Sequence, residues 1–278
     1  MRLPARLMEL GLRTTVKPVL GPPFPYLFQR AWQDTLARLT ARPRGVEVGQ
    51  VVLGGRPAHR LDPPDRRPGA AVLWLHGGAF VTGSYAVHGA FAAALARAAG
   101  VRVYLLDYRL APEHPHPAAL DDAVEALRYV PEDRVVLGGD SAGGCLALLA
   151  ALEAPRPLAG LALVSPVVDA TRRTSRTWEG KDALLRRAWV EQGTRAYFGD
   201  DAPDLLQADL GRLPEAVVVH VSEHERLRPE GEALATKVGA ELVMVERLWH
   251  DAHLQCSSVA EAADAVERLG ASVARMLA

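Results

Sequence analysis

The apolar residues of this chain gather in short blocks. Strand-like runs rich in β-branched residues lie at 46–53, 71–76, 101–106, 134–137, 158–165, 216–221 and 241–246. Most of the later runs are continuously apolar, the pattern of strands buried on both faces. Ala-rich, helix-favouring stretches separate them at 87–99, 117–129, 142–152, 229–238 and 259–277. Strands alternating with helices of this length predict a mostly parallel sheet covered on both sides. Two segments fall outside the alternation, at about 1–44 and 169–212. The second carries Trp178, Trp189, Tyr197 and Phe198 and reads as helical near 182–196. Both are expected to be cap elements over the C-terminal edge of the sheet, where open α/β folds bind ligands. Phe24, Tyr26, Phe28 and Trp32 are candidates for the inner face of that cap, with ordinary packing as the alternative.

Composition narrows the partners. Lys and Arg total 32 against 33 Asp and Glu, so no global basic field attracts nucleic acid or an anionic membrane. The pairs Arg66-Arg67, Arg172-Arg173 and Arg186-Arg187 are scattered and read as solvated. Two cysteines cannot build a disulfide framework, and they lack metal-type spacing. No apolar run approaches the roughly 20 residues of a membrane span. Arg2 and Arg6, then Gly21, Pro22, Pro23 and Pro25, break the N-terminal apolar stretches. The unbroken core of a signal peptide is therefore missing, and the cytoplasm is the expected location. The chain's 278 residues exceed the prior of about 150 per domain, yet α/β folds often run past about 200 as one unit.

The 24 Gly and 20 Pro are placed at corners rather than in linkers. Gly138, Gly139, Gly143 and Gly144 flank Ser141 in a Gly-x-Ser-x-Gly stretch. The apolar run 134–137 precedes it and a helix-like run from Cys145 follows, which is the strand–elbow–helix context of a nucleophile elbow. Small flanks let the turn tighten, and the serine is expected to project into solvent from a strained corner. The following helix N-terminus favours negative charge beside it. A second glycine corner, His76-Gly77-Gly78-Ala79-Phe80, ends another strand. Its uncovered N–H groups suit a tetrahedral oxyanion, which needs donors about 3 Å from the developing charge.

Three segments in order carry a family likeness: residues 76–80, then Asp107-Tyr-Arg-Leu-Ala-Pro-Glu-His-Pro115 with 117–123, then Gly139-Asp-Ser-Ala-Gly-Gly144. The chain resembles the hormone-sensitive-lipase-like carboxylesterases of the α/β-hydrolase superfamily, from about Val46 to the C-terminus and least across the cap. The resemblance implies one α/β-hydrolase domain over 1–278, a mostly parallel eight-stranded sheet flanked by helices, with a small helical cap. It implies oxyanion donors at Gly78, Ala79 and Ala142, and a structural role for Asp107 and Arg109, expected as a buried pair holding loops. It requires no metal or cofactor, and it alone suggests a homodimer through the last strand.

The order Ser, acid, His sets aside His76, which precedes Ser141 and is expected to brace its loop. Past the run 216–221, Glu223 and Glu225 are both candidate acids, and spacing alone does not choose. Aligning Leu227-Arg228 and Glu230-Gly231-Glu232 with the family pattern places the acid on Glu225 and puts Glu223 where glycine is usual. Past the run 241–246, His250 matches the family's base, with Asp251-Ala252 in place of the usual Gly-Phe. His253 is the rival. His220 is read as a packing residue within a strand. His59, His88, His114 and His116 are assigned to loops or helix starts. Cys145 and Cys256 are read as core thiols. Trp249 either lines the acyl pocket or covers the core.

The expected activity is hydrolysis of small, short-acyl esters by Ser141, Glu225 and His250 through an acyl-enzyme. The alternatives are an amidase, formamidase or peptidase on the same fold, or a silent ligand-binding homologue such as the plant gibberellin receptors.

Overall fold

The computed structural model describes residues 2–40, 44–171, 180 and 182–278. Trp178, Arg172 and Arg173 lie outside the described residues. The strands are β1 (Glu47–Leu53), β2 (Arg56–Asp62), β3 (Ala70–Leu75), β4 (Arg102–Leu106), β5 (Arg134–Asp140), β6 (Gly160–Val164), β7 (Val217–His224) and β8 (Glu241–Trp249). They form an eight-stranded sheet in the order β1-β2-β4-β3-β5-β6-β7-β8. β1 and β2 pair antiparallel, as do β2 and β4, and the remaining pairs are parallel.

The continuously apolar runs have a direct cause. Ala71, Leu73 and Leu75 of β3 enter one core, while Ala70, Val72 and Trp74 enter the other. Val135 and Leu137 against Val136, and Leu161 and Leu163 against Ala162 and Val164, repeat the split in β5 and β6. The first face is covered by α4 (Ala118–Tyr129), α5 (Ala142–Leu152) and α7 (Arg228–Val238), and the second by α3 (Tyr85–Ala99) and α8 (Ala260–Met276). Ser84 caps α3 by accepting from the Val87 N–H, and Gly100 ends it in the left-handed conformation.

β2 was absent from the sequence-derived strands. Four of its seven residues, Arg56, His59, Arg60 and Asp62, are polar and it includes Pro57, so it lacks a continuous apolar block. The signal that marks it is Gly54-Gly55, both at positive φ, which joins β1 to β2 as a two-residue hairpin. Residues before β1 form α1 (Ala5–Gly11), a π-helical turn (Leu12–Val16) and α2 (Tyr26–Thr40). Phe24, Phe28 and Trp32 stack on one another, with Phe28 exposed, so they do not form an inner cap face. The helix expected near 182–196 is α6 (Arg187–Phe198). Asp182 lies in the loop before it instead, accepting from the N–H groups of Leu184 and Leu185.

Candidate active site

All the candidate residues lie at or just past the C-terminal ends of strands. β5 runs to Asp140, and Ser141 follows at φ 52° and ψ −117°, at the N-cap of α5. Such a conformation costs a non-glycine residue about 1–3 kcal/mol and persists only where neighbours hold it. Its N–H donates to the Val164 carbonyl at 2.9 Å, and its carbonyl accepts from Val167 N–H at 3.0 Å. A Cβ on Gly143 would fall 2.0 Å from the Leu75 carbonyl oxygen, so the elbow admits only glycine there. Ser141 is just 6% exposed. The sequence suggested that it projects into solvent; it opens instead into a cavity of about 460 Å³. Leu7, Met8 and Leu12 from the N-terminal segment and Leu184 and Trp189 from the second segment line that cavity, which is why the serine is sheltered.

His250 follows β8, and its Nε2 lies 2.9 Å from Ser141 Oγ. Its Nδ1 lies 2.8 Å from Glu225 Oε2, while Glu225 Oε1 accepts from the Ser222 N–H at 2.7 Å. A carboxylate accepts, so Nδ1 carries a proton, and Nε2 is the ring nitrogen that faces Ser141. Glu225 is fully buried and follows β7 directly. Glu223 has a different partner: its Oε2 accepts from the Arg247 N–H at 2.7 Å. Arg247 sits at φ 57°, beside the register shift between β7 and β8, so Glu223 holds an irregular strand. Asp182 Oδ2 accepts from the Arg226 N–H at 3.0 Å, tying the neighbour of Glu225 to the segment before α6.

Asp251 adds a feature that sequence reading did not use. Its Oδ2 lies 3.0 Å from His250 Nε2. Burial works against the charged imidazole of His250, but Asp251 and then Glu225 outweigh it and hold its pKa well above the ordinary value. Burial pushes the Asp251 carboxyl up to about 7, against the pull of His250.

His253, the rival base, does not reach the serine. It is buried with Nε2 3.0 Å from His220 Nδ1. Burial lowers His253 to about 3 and His220 well below its usual value. His59 lies within β2 rather than in a loop, and His88 lies in the first turn of α3, a helix start as expected. His88 matters to the site: its Nε2 is 2.9 Å from Asp140 Oδ2, which also accepts from the Gly77 N–H at 2.9 Å. Asp140 Oδ1 accepts from Trp74 Nε1 at 2.7 Å. Burial opposes ionisation of Asp140, yet the charge and hydrogen bond of His88 keep its carboxyl below the usual range. Asp140 therefore pins the serine strand to the glycine loop. The signal for it was the residue directly before Ser141 in the elbow.

With the Gly77 N–H occupied, the loop continues through Gly78, Ala79 and Phe80 at φ 127°, 52° and 65°. Gly78 lines the cavity with Ser141. His76 braces the loop: Tyr108 stacks on its ring at 4.3 Å and donates from its hydroxyl to the His76 carbonyl at 2.5 Å. Burial and His88 lower His76 to about 4. Ala142 is the first residue of α5.

Several structural expectations are corrected. Asp107 and Arg109 are not a pair with each other and each is about one-third exposed; Arg109 binds Asp122 at 2.7 Å, and Asp107 meets His59 Nε2 at 3.3 Å. In the same loop Glu113 pairs with Arg30 of α2, whose Nε also donates to the Val81 carbonyl. Arg186 is not simply solvated, since it donates to the carbonyls of Pro18 and Leu20. Trp249 is core, bonded to Gln255. Cys145 and Cys256 are buried, and burial raises Cys256 to about 11. Among the described residues no group of three His, Cys, Asp or Glu side chains is placed to hold a metal ion, and no helix is long and apolar enough to cross a membrane.

Residues 72–254 match the model of the alpha/beta hydrolase fold family. The chain is 36% identical over 234 residues to an acetyl-hydrolase of Streptomyces hygroscopicus, covering 75% of this chain and 78% of that one. It is 33% identical over 251 residues to an ethyl acetate hydrolase of Pseudomonas putida, covering 78% and 79%. Its structure superposes on that of a hormone-sensitive lipase from a metagenome library with a TM-score of 0.92, at 28% identity and over 100% of both chains. The chain belongs to the bacterial hormone-sensitive-lipase-like esterases of the α/β-hydrolase superfamily.

Proposed function

We propose that the protein is a serine carboxylesterase acting on small esters of short acyl chains, with Ser141 as nucleophile, His250 as base and Glu225 as acid. The observation that carries this reading is the unbroken contact Glu225–His250–Ser141, at 2.8 and 2.9 Å, ending on a serine in a strained conformation. A silent binding homologue has no need of that contact.

Ser141 Oγ adds to the ester carbonyl carbon as its proton passes to His250 Nε2. The carbonyl electron pair moves onto oxygen, where the N–H groups of Gly78, Ala79 and Ala142 receive it. The pair returns, the C–O bond to the alcohol breaks, and the alcohol oxygen takes the proton from Nε2. Water then repeats the sequence on the acyl-enzyme and releases the acid. Glu225 keeps the ring in the required tautomer and stabilises the imidazolium.

The cavity of about 460 Å³ falls in the lower half of the range for small-molecule sites, roughly 300–1,000 Å³. Its lining is largely apolar, and relatives named for acetyl and ethyl acetate hydrolysis support a small ester. Leu7, Met8 and Leu12 with Leu184 and Trp189 act here as a cap that shelters the serine from bulk water. Ser141→Ala should lower kcat by roughly 10³-fold or more and abolish labelling by a fluorophosphonate. Retained activity in that variant would remove the assignment. In a p-nitrophenyl series, acetate and butyrate should outpace dodecanoate; a rise towards long chains would replace the short-acyl reading.

A further inference from the structure

The His250 ring has a carboxylate on each side. Glu225 Oε2 meets Nδ1 at 2.8 Å, and Asp251 Oδ2 lies 3.0 Å from Nε2, the atom that also faces Ser141 Oγ at 2.9 Å. Asp251 is 4% exposed and held at φ 52° and ψ 33°, which keeps its carboxyl beside the ring. Its backbone N–H points to Ser165 Oγ at 3.5 Å, and its other oxygen, Oδ1, has no hydrogen-bond partner among the described residues. Among the described residues no competing cation is paired with this carboxyl: of the groups that face it, Glu225 and Asp140 are carboxyls, and His88 is already engaged by Asp140.

When ionised, Asp251 places a negative charge 3.0 Å from Nε2 and so favours the imidazolium. It therefore makes His250 a stronger base and a weaker acid. The two halves of acylation respond in opposite directions. Removing the Ser141 proton becomes easier, whereas giving that proton to the leaving oxygen becomes harder. An alkyl alcohol needs the proton as its C–O bond breaks. A phenolic or enolic alcohol carries the electron pair away as a stable anion and does not.

We propose that Asp251 is a positioning residue that acts through His250 and biases the enzyme towards esters of acidic alcohols, phenolic or enolic, over esters of alkyl alcohols. The inference rests on the esterase reading and adds a substrate class to it.

The test compares kcat/KM for p-nitrophenyl butyrate and ethyl butyrate, which share an acyl group, across the pH range for the native chain, Asp251→Asn and Asp251→Gly. Both replacements tolerate the left-handed backbone, and a thermal melt reports whether each is folded. Removing the charge should lower the nitrophenyl-to-ethyl ratio by about fivefold or more, because a more acidic His250 compensates only the ethyl ester. The acid limb should also move down by about one pH unit. Equal losses on both substrates with the limb unmoved would mean that Asp251 only packs, and the proposal would fall. If the native chain cleaved neither ester and matched Ser141→Ala, the esterase reading itself would fail and take this inference with it. That outcome is distinct, because it does not depend on residue 251.

Discussion

Glu223 and Glu225 are two residues apart and serve different ends. One holds the Arg247 N–H at a bulge, and the other holds His250. Glu225→Ala should lower kcat by roughly 10²–10⁴-fold, the range of acid removal in such triads. Glu223→Ala should lower it by less than about tenfold, with a loss of about 1 kcal/mol from the missing hydrogen bond. Steady-state kinetics on the two variants check this, and the reverse order would move the acid. Spacing could not separate the two, because the choice depends on where β7 ends. The strand runs on to His224, past the apolar run that marked it, and Glu225 is the first residue free to turn inward. The base leads to a pH prediction. His250 must be neutral to accept the Ser141 proton, and it is protonated below its pKa. That pKa is raised by Asp251 and Glu225. Activity should therefore fall on acidification along a limb above the unperturbed histidine value of about 6.5. A profile of kcat/KM that stays flat down to about pH 5 would contradict the raised histidine.

At the scale of elements, α6 and α2 hold the glycine loop from outside the sheet. Gly193 of α6 abuts Ala79: a Cβ there would fall 2.2 Å from the Ala79 carbonyl oxygen and 2.8 Å from its Cβ. Phe80 stacks on Tyr197 of the same helix at 4.8 Å. Gly193→Ala should push the loop away from the serine. Misplacement by about 1 Å can cost up to about 10²-fold, so a fall in kcat of about tenfold or more is expected with only a modest drop in Tm. Unchanged kcat would show that the loop tolerates the displacement. Neither contact was legible in sequence. α6 and the glycine loop are more than a hundred residues apart, and a helix interior glycine carries no local sign of what it touches. α2 was likewise read only as cap, because the Pro- and Gly-rich stretch before it masks a helix of 15 residues. Arg30 shows what α2 does: it links the Val81 carbonyl, the Ala111 carbonyl and Glu113. That gives the loop after β4 a job in positioning the site.

For the whole molecule, stability and chemistry reside in separable regions. The face between the sheet and the α3–α8 layer is apolar and lies behind the catalytic edge. Leu269 of α8 is fully buried there and absent from the cavity lining. Leu269→Ala should cost about 2–5 kcal/mol from lost burial and a residual cavity. Its Tm should fall clearly while kcat, measured well below the melt, stays within about twofold. A matching loss of kcat would mean that the rear core transmits strain to the site. This layering was readable from alternation, since a strand buried on both faces must be apolar throughout.

The sequence by itself determined the parallel core, the elbow at Ser141, the glycine loop at His76–Phe80 and the short list of acids and bases. These are local matters: burial on two faces dictates continuous apolar runs, and a tight turn dictates small residues around one serine. Residue spacing left two glutamates, the family pattern favoured Glu225, and the tertiary structure put Glu225 against the histidine; it alone showed that Asp140 and His88 clamp the loop to the serine strand. It also revealed that the serine opens into a lined cavity and that Asp251 stands beside the base. Each depends on strand ends, bulges and helix docking that bring together residues far apart in the chain. Hydrogen bonds of about 3 Å are set by those long-range placements, and no local pattern of residue types encodes them.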